Sequence, residues 1–236
     1  MVSGIVSANQ ISHSVLNQDF YVVLAALTKA FSAVEYGLII TDEIALQLHL
    51  ITVLLKKFGL TSIDQLILSA INLDSALFSD LSLSCLTPVY GNTVANCLVA
   101  LEAPEQFKLG NDLYEVRLAD LIAHKPRFRL IKNGIEVGQA EAKIDYSRDP
   151  KLIELASGLE LTRENLIIKC LVAAPEYVVA QALLLDNEGL IKKASPLIDS
   201  LDQHNAFKYY RVADLLGQKN REKFVRFLTS RRRVTS

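Results

Sequence analysis

The sequence predicts an α+β protein, predominantly helical with a small antiparallel β-hairpin sheet in the middle. Three observations lead there. Apolar residues recur at helical spacing through the first third, the turn pair Asn133 and Gly134 sits between two alternating segments, and helical spacing resumes after Asp149 and Pro150. With 236 residues, half of them apolar and 22% charged, the chain can bury a core of its own without disulfide or metal staples.

The first helix is read from Phe20, Val23, Leu24, Leu27 and Phe31, with Gly37 as a stop. Thr41 stands where it would cap a second helix, whose opening Asp42 and Glu43 suit the positive end of a helix dipole. That helix continues through Leu46, His49, Leu50 and Val53 to Lys56 and Lys57, which suit the opposite end, with Gly59 beyond. Ser62 followed by Gln65 is a capping-box spacing for a third.

In the middle the period changes to two. A loop at Asn111 and Asp112 would set Leu109 opposite Tyr114 and Phe107 opposite Val116. Asn133–Gly134 is the pair a type I′ turn demands; it sets Leu130 opposite Val137 on one face, with Phe128 on the same side, and leaves Arg127, Arg129, Ile131 and Glu136 on the other. Further on, Thr162 is expected to cap a helix through Leu166, Ile167 and Cys170. Pro175 fits the first turn of the next, which ends near Gly189, and Ser195–Pro196 repeats the cap-then-proline device. A helix from about Phe207 to Leu216 stops at Gly217, and Asn220 would cap a last one running into Arg231. Three regions result: residues 1–105, acidic and helical, for packing or self-association; 106–150, a small antiparallel β region; and 151–236, helical with a basic end.

Much chemistry lacks its signature. Phosphate loops, dinucleotide fingerprints, nucleophile elbows and zinc helices are all missing from the sequence, so no cofactor, no metal and no catalytic residue is expected. Cys85, Cys97 and Cys170 are odd in number and widely spaced, as suits small buried hydrophobes in a reducing, cytoplasmic setting. His13, His49, His124 and His204 are isolated, and His49 reads as a satisfied core histidine. Paired carboxylates such as Asp74 and Asp80 read as solvent-face charges. Residues 81–101 carry no charge, but Ser82, Ser84, Pro88, Gly91, Asn92 and Asn96 break them up, so membrane insertion is not expected.

Charge is distributed unevenly. Residues 1–105 hold three basic and nine acidic side chains, whereas residues 206–236 hold nine basic against Asp214 and Glu222. Within that basic end, Tyr210 to Gly217 and Asn220 to Leu228 form a helix, a glycine-containing turn and a second helix. Ala213 lies four residues before Gly217, and the unit resembles a helix-turn-helix with a turn one residue longer than usual. Helical spacing gathers Phe224, Phe227 and Leu228 on one face and turns Arg221, Lys223, Arg226 and the run Arg231, Arg232 and Arg233 outward, where arginine forks suit phosphate oxygens. Lys125, Arg127 and Arg129, with Lys132 and Phe128 beside them, make a second basic stretch.

The expectation is a non-enzymatic, regulatory or packaging protein that binds DNA or RNA and self-associates as a homo-oligomer. The alternative is an assembly or adaptor protein whose basic C-terminus docks on an acidic protein surface. An enzyme whose site is assembled from dispersed residues is the third reading, which a pocket joining His49 or Cys170 to a carboxylate would favour.

Overall fold

The computed structural model describes residues 17–70, 81–122 and 125–232, without the side chains of 69, 70, 81, 82, 231 and 232; His13, Asp74, Asp80, His124 and Arg233 lie outside it. Asn17 starts the first helix, α1 (Gln18–Ala30), by accepting the Asp19 N–H on its side-chain oxygen at 3.0 Å. Every residue from Phe20 to Leu27 is buried, so the helix has no wet face. A helix apolar all round needs cover on every side, and the sheet supplies it by curling around α1.

That sheet overturns the fold predicted from sequence. The described residues form one mixed sheet of eight strands in the order β3-β4-β5-β6-β2-β1-β8-β7, rather than a small hairpin sheet within a mostly helical protein. Its strands are β1 (Ile39–Ile40), β2 (Leu81–Thr87), β3 (Glu105–Leu109), β4 (Asp112–Ile122), β5 (Lys125–Lys132), β6 (Ile135–Tyr146), β7 (Ser157–Arg163) and β8 (Leu166–Val172). β1 runs parallel to β8 and antiparallel to β2, and β2 runs parallel to β6; the remaining pairs are antiparallel.

Two segments account for most of the correction. Residues 81–87 alternate Leu, Ser, Leu, Ser, Cys, Leu, Thr, a period of two that buries Leu83, Cys85 and Thr87. Residues 157–172, expected to hold a helix capped by Thr162, form the β7–β8 hairpin, in which Leu161 faces Ile168 and Leu159 faces Cys170. The run Leu-Ile-Ile-Lys-Cys-Leu-Val is short, β-branched and bounded by a turn at Glu164 and Asn165, which favours a strand over a helix.

The meander follows its turn chemistry. Asn133 and Gly134 take φ values of 51° and 83°, the left-handed pair of a type I′ turn. Lys132 then pairs with Ile135 and Ile131 with Glu136, but a bulge follows, so Leu130 meets Gly138 instead of Val137. The slip restores Ala140, Ala142 and Ile144 to the inner face. The preceding loop sits one residue earlier than expected, at Gly110 and Asn111, which pairs Phe107 with Tyr114 and Leu109 with Asp112. Gly110 has φ 59°, and a β-carbon there would run into the Glu164 carboxylate of the β7–β8 turn.

The remaining helices, from both halves of the chain, build a layer beside the sheet. α2 (Asp42–Phe58) ends at Gly59, φ 64°, and α3 (Ile63–Ala70) opens with the Gln65 N–H donated to Ser62 Oγ at 3.3 Å. The side chain of Gln65 returns a bond to Thr61 N–H at 2.8 Å, one residue earlier than in a capping box. Two shorter helices, α4 (Gly91–Val99) and α5 (Pro150–Leu155), follow β2 and β6. α2 packs on α6 (Pro175–Leu184) and α7 (Glu188–Gln203), while α8 (Tyr209–Leu216) and α9 (Arg221–Arg232) close over α6. Ser195 and Pro196 do not start a helix. They lie inside α7, which Asn187 caps through the Leu190 N–H, and Ser195 Oγ bonds back to Ile191 O at 3.0 Å.

His49, read from sequence as a core histidine, sits half-buried on α2 with one backbone partner. Its Nε2 lies 3.1 Å from the Ala173 carbonyl, and burial holds its pKa below the ordinary 6.5. A depressed histidine contributes stability that is complete above the unfolded pKa and is lost as pH falls through the folded one. His49→Gln should therefore flatten the fall in thermal midpoint between about pH 6.5 and pH 5. A wild-type midpoint unchanged over that window would contradict this.

Candidate nucleic-acid interface

The alternation along β5 that turns Phe128 and Leu130 inward leaves the residues between them facing solvent. Lys125, Arg127 and Arg129 are all exposed there. Register fixes their neighbours: Arg129 stands opposite Arg117 of β4 on one side and Gln139 of β6 on the other, and Arg127 stands between two carboxylates, Asp120 of β4 and Glu141 of β6. Arg117 reaches Glu115 at 3.0 Å and Arg127 reaches Glu141 at 3.3 Å, both as exposed ion pairs. Arg129 has no ion-pair partner among the described residues. Like charges placed directly across a strand pair are unfavourable.

Lys132, grouped with these residues by sequence, faces inward. Its ammonium lies 2.6 Å from Asp112 Oδ2 and 5.2 Å from the Tyr114 ring centre. Beside it, burial raises the pKa of Asp19, against an opposing hydrogen bond from Tyr114.

The C-terminal unit folds as two helices joined through Gly217, φ 65°, and a single 3₁₀ turn, Gln218–Asn220. Phe227 is buried, with Phe224 and Leu228 packed against the core, so the apolar face is the expected one. Asn220 does not cap α9; its side-chain amide donates to Leu216 O at 3.1 Å, closing α8 instead. Of the predicted basic set, Arg221 is exposed and Arg226 forms an i,i+4 pair with Glu222 at 3.5 Å. Lys223 turns back to the body of the protein, donating to Leu184 O at 3.1 Å and to Asp186 at 2.8 Å. It thereby satisfies a carbonyl at the end of α6. The backbone of Arg231 and Arg232 continues α9.

Sequence reading missed a cleft of about 430 Å³ lined by Asp42, Glu43, Ser84 and Lys193, among others. Asp42 takes φ 59° at the first position of α2, and Glu43 holds Gln47 Nε2 at 2.9 Å and Lys193 at 3.6 Å. Ser84 pairs in register with Lys143 of β6, whose ammonium is held charged mainly by Asp145 and more weakly by Asp42. The cleft gathers carboxylate, hydroxyl and ammonium groups from three elements far apart in sequence, α2, β2 and α7. Neither His49 nor Cys170 lines it. Cys170 is buried, with its pKa pushed up to about 12, which keeps it a thiol. Among the described residues no group of three or more histidine, cysteine or carboxylate side chains is placed to hold a metal ion, and no helix is long and apolar enough to cross a membrane.

No protein-family model matches the chain, and no curated protein matches it. Among solved structures it is similar to a Helicobacter pylori protein assigned provisionally as a nucleotidyltransferase, at 14% identity and a TM-score of 0.39, over 93% of this chain and 83% of that one. It is also similar to JHP933 from Helicobacter pylori, at 14% identity and a TM-score of 0.34, over 95% and 98% of the two chains. Overlays this loose transfer neither fold nor activity to this chain.

Proposed function

We propose that the protein is a non-enzymatic nucleic-acid-binding protein whose main contact is the solvent face of β4 and β5. The observation that supports it is the arginine pair Arg117 and Arg129, directly opposed in register, with Arg127 and Lys125 following on the same face. A phosphate backbone relieves that repulsion. The exposed ion pairs to Glu115 and Glu141 are weak enough to be exchanged for phosphate contacts. Arg221 and Arg226, with Arg231, Arg232 and Arg233, form the second contact. Lys223 serves the α6 terminus instead.

Binding to random-sequence duplex and single-stranded DNA and RNA, measured by fluorescence anisotropy over a salt series, tests this. Each phosphate contact on duplex contributes roughly 0.9 to the slope of log affinity on log salt. Replacing Arg117, Arg127 and Arg129 together by glutamine should therefore flatten the slope by about 3. Absence of binding at low salt, or an unchanged slope in the triple variant, would refute the assignment.

A further inference from the structure

Away from the arginine row, the ends of β2 and β6 carry two exposed aromatic rings that belong to no core. Tyr90 is 67% exposed and Tyr146 40%, yet their rings stack with centres 5.5 Å apart and planes 25° from parallel. One guanidinium fixes both. Arg148 Nε donates to Tyr146 Oη at 2.8 Å and Nη2 donates to Tyr90 Oη at 3.4 Å, and the guanidinium centre lies 5.5 Å from the Tyr146 ring centre and 5.9 Å from that of Tyr90, so it packs on one side of the pair.

The backbone beneath is tied down. Thr87 pairs in register with Tyr146, Ser147 N–H donates to Thr87 O at 2.9 Å, and Thr87 Oγ1 donates to Gly37 O at 2.7 Å. Pro88 stiffens the step to Tyr90. Exposed aromatic area held in one orientation serves packing poorly, since these rings bury little, and serves stacking well, since no ordering entropy remains to be lost on binding.

The geometry points to a base-stacking platform for single-stranded nucleic acid, with the free face of the Tyr90–Tyr146 pair receiving an unpaired base and Arg148 adding positive charge at its edge. Flat π-faces on bases match flat rings whatever the sequence. The platform lies at the end of β6, the strand whose Glu141 and Gln139 stand opposite the β5 arginines; Tyr146 keeps the inward parity of Ala140, Ala142 and Ile144, so a strand on the arginine row reaches the rings only by passing the strand end. The platform thus rests on the nucleic-acid reading above and adds to it a preference for unpaired strands, because a duplex keeps its base faces covered.

The chain contains no tryptophan, so Tyr90→Trp introduces a single indole whose quenching reports stacking directly. An oligothymidylate should quench it, and a duplex of equal length should not. In anisotropy, Tyr90→Ala and Tyr146→Ala should each weaken oligothymidylate binding about tenfold, the loss expected for one stacked base. They should leave duplex affinity and the salt slope unchanged. Tyr90→Phe keeps the ring but loses the bond from Arg148, and should cost less affinity than Tyr90→Ala. If the alanine variants fold and bind oligothymidylate like the wild type while the arginine triple variant does not, the platform is overturned and the phosphate-binding reading stands. If the wild type binds neither nucleic acid, both fall. Quenching by a polyproline peptide with no response to oligothymidylate would overturn the platform in favour of peptide recognition.

Discussion

Replacing Phe128 by alanine should cost about 3–5 kcal/mol of unfolding free energy. The ring is fully buried on the inner face of β5, opposite Leu118 of β4 and Ala140 of β6. Ala140 is too small to move into the space, and β5 is paired on both sides, with one bulge in each ladder, so most of the vacated volume should persist as a cavity. The loss is comparable to a large part of the total stability of an ordinary domain. Urea denaturation should show a lowered midpoint with an unchanged slope. A loss under about 1 kcal/mol would mean that the strands collapse onto the site.

A second large effect is expected at Asp64, for an electrostatic reason. Arg163 points into the curled sheet and is only 8% exposed; its Nη1 lies 3.1 Å from Asp64 Oδ1, and its guanidinium stands 5.9 Å from the Tyr21 ring centre. The angle at Nη1 is too poor for a hydrogen bond, and Nε has no acceptor among the described residues, so the cation depends on the charge of Asp64. Asp64 also accepts the Glu164 N–H, which ties α3 to the β7–β8 turn. Asp64→Ala should cost about 3 kcal/mol by leaving a buried cation uncompensated, partial exposure of the carboxylate keeping the loss at the low end. Asp64→Asn keeps a group that can accept from Glu164 and isolates the charge. Arg163→Met combined with Asp64→Leu should regain most of the loss in thermal denaturation, because the penalty lies in the unpaired ion rather than in the missing bridge. A double variant as unstable as Asp64→Ala alone would assign the effect to packing.

Local rules in the sequence were readable where one residue type dictates one geometry. Asn133–Gly134 produced its turn, Gly59 and Gly217 ended their helices with positive φ, and the α2 charges lie at the expected ends. The errors arose where a local signal was absent or had two meanings. The Ser-rich alternation of β2 carries no charge contrast, so its period of two was hidden. Thr162 can cap a helix or sit in a strand, and only pairing with β8 decides which. Non-local pairing was out of reach altogether: the β2–β6 ladder joins segments more than fifty residues apart, and the sheet exists because of it. The site residues divide in the same way. Outward exposure of Arg127 and Arg129 followed from alternation, whereas the opposition of Arg117 to Arg129 needed the register, and the convergence of Tyr90, Tyr146 and Arg148 needed the ladder between distant strands.

The curl that encloses α1 also brings the sheet's two ends back toward the chain itself. Gly110, just past β3, donates its N–H to Asn165 Oδ1 in the β7–β8 turn at 2.8 Å; Lys29 grips Glu105 at the start of β3 at 2.6 Å; and α3 packs along β7. The two ends of the sheet are thus braced by the protein's own groups at the β3–β4 and β7–β8 turns, so a substitution at Lys29 or Asn165 would loosen the curl far from either strand's own ladder.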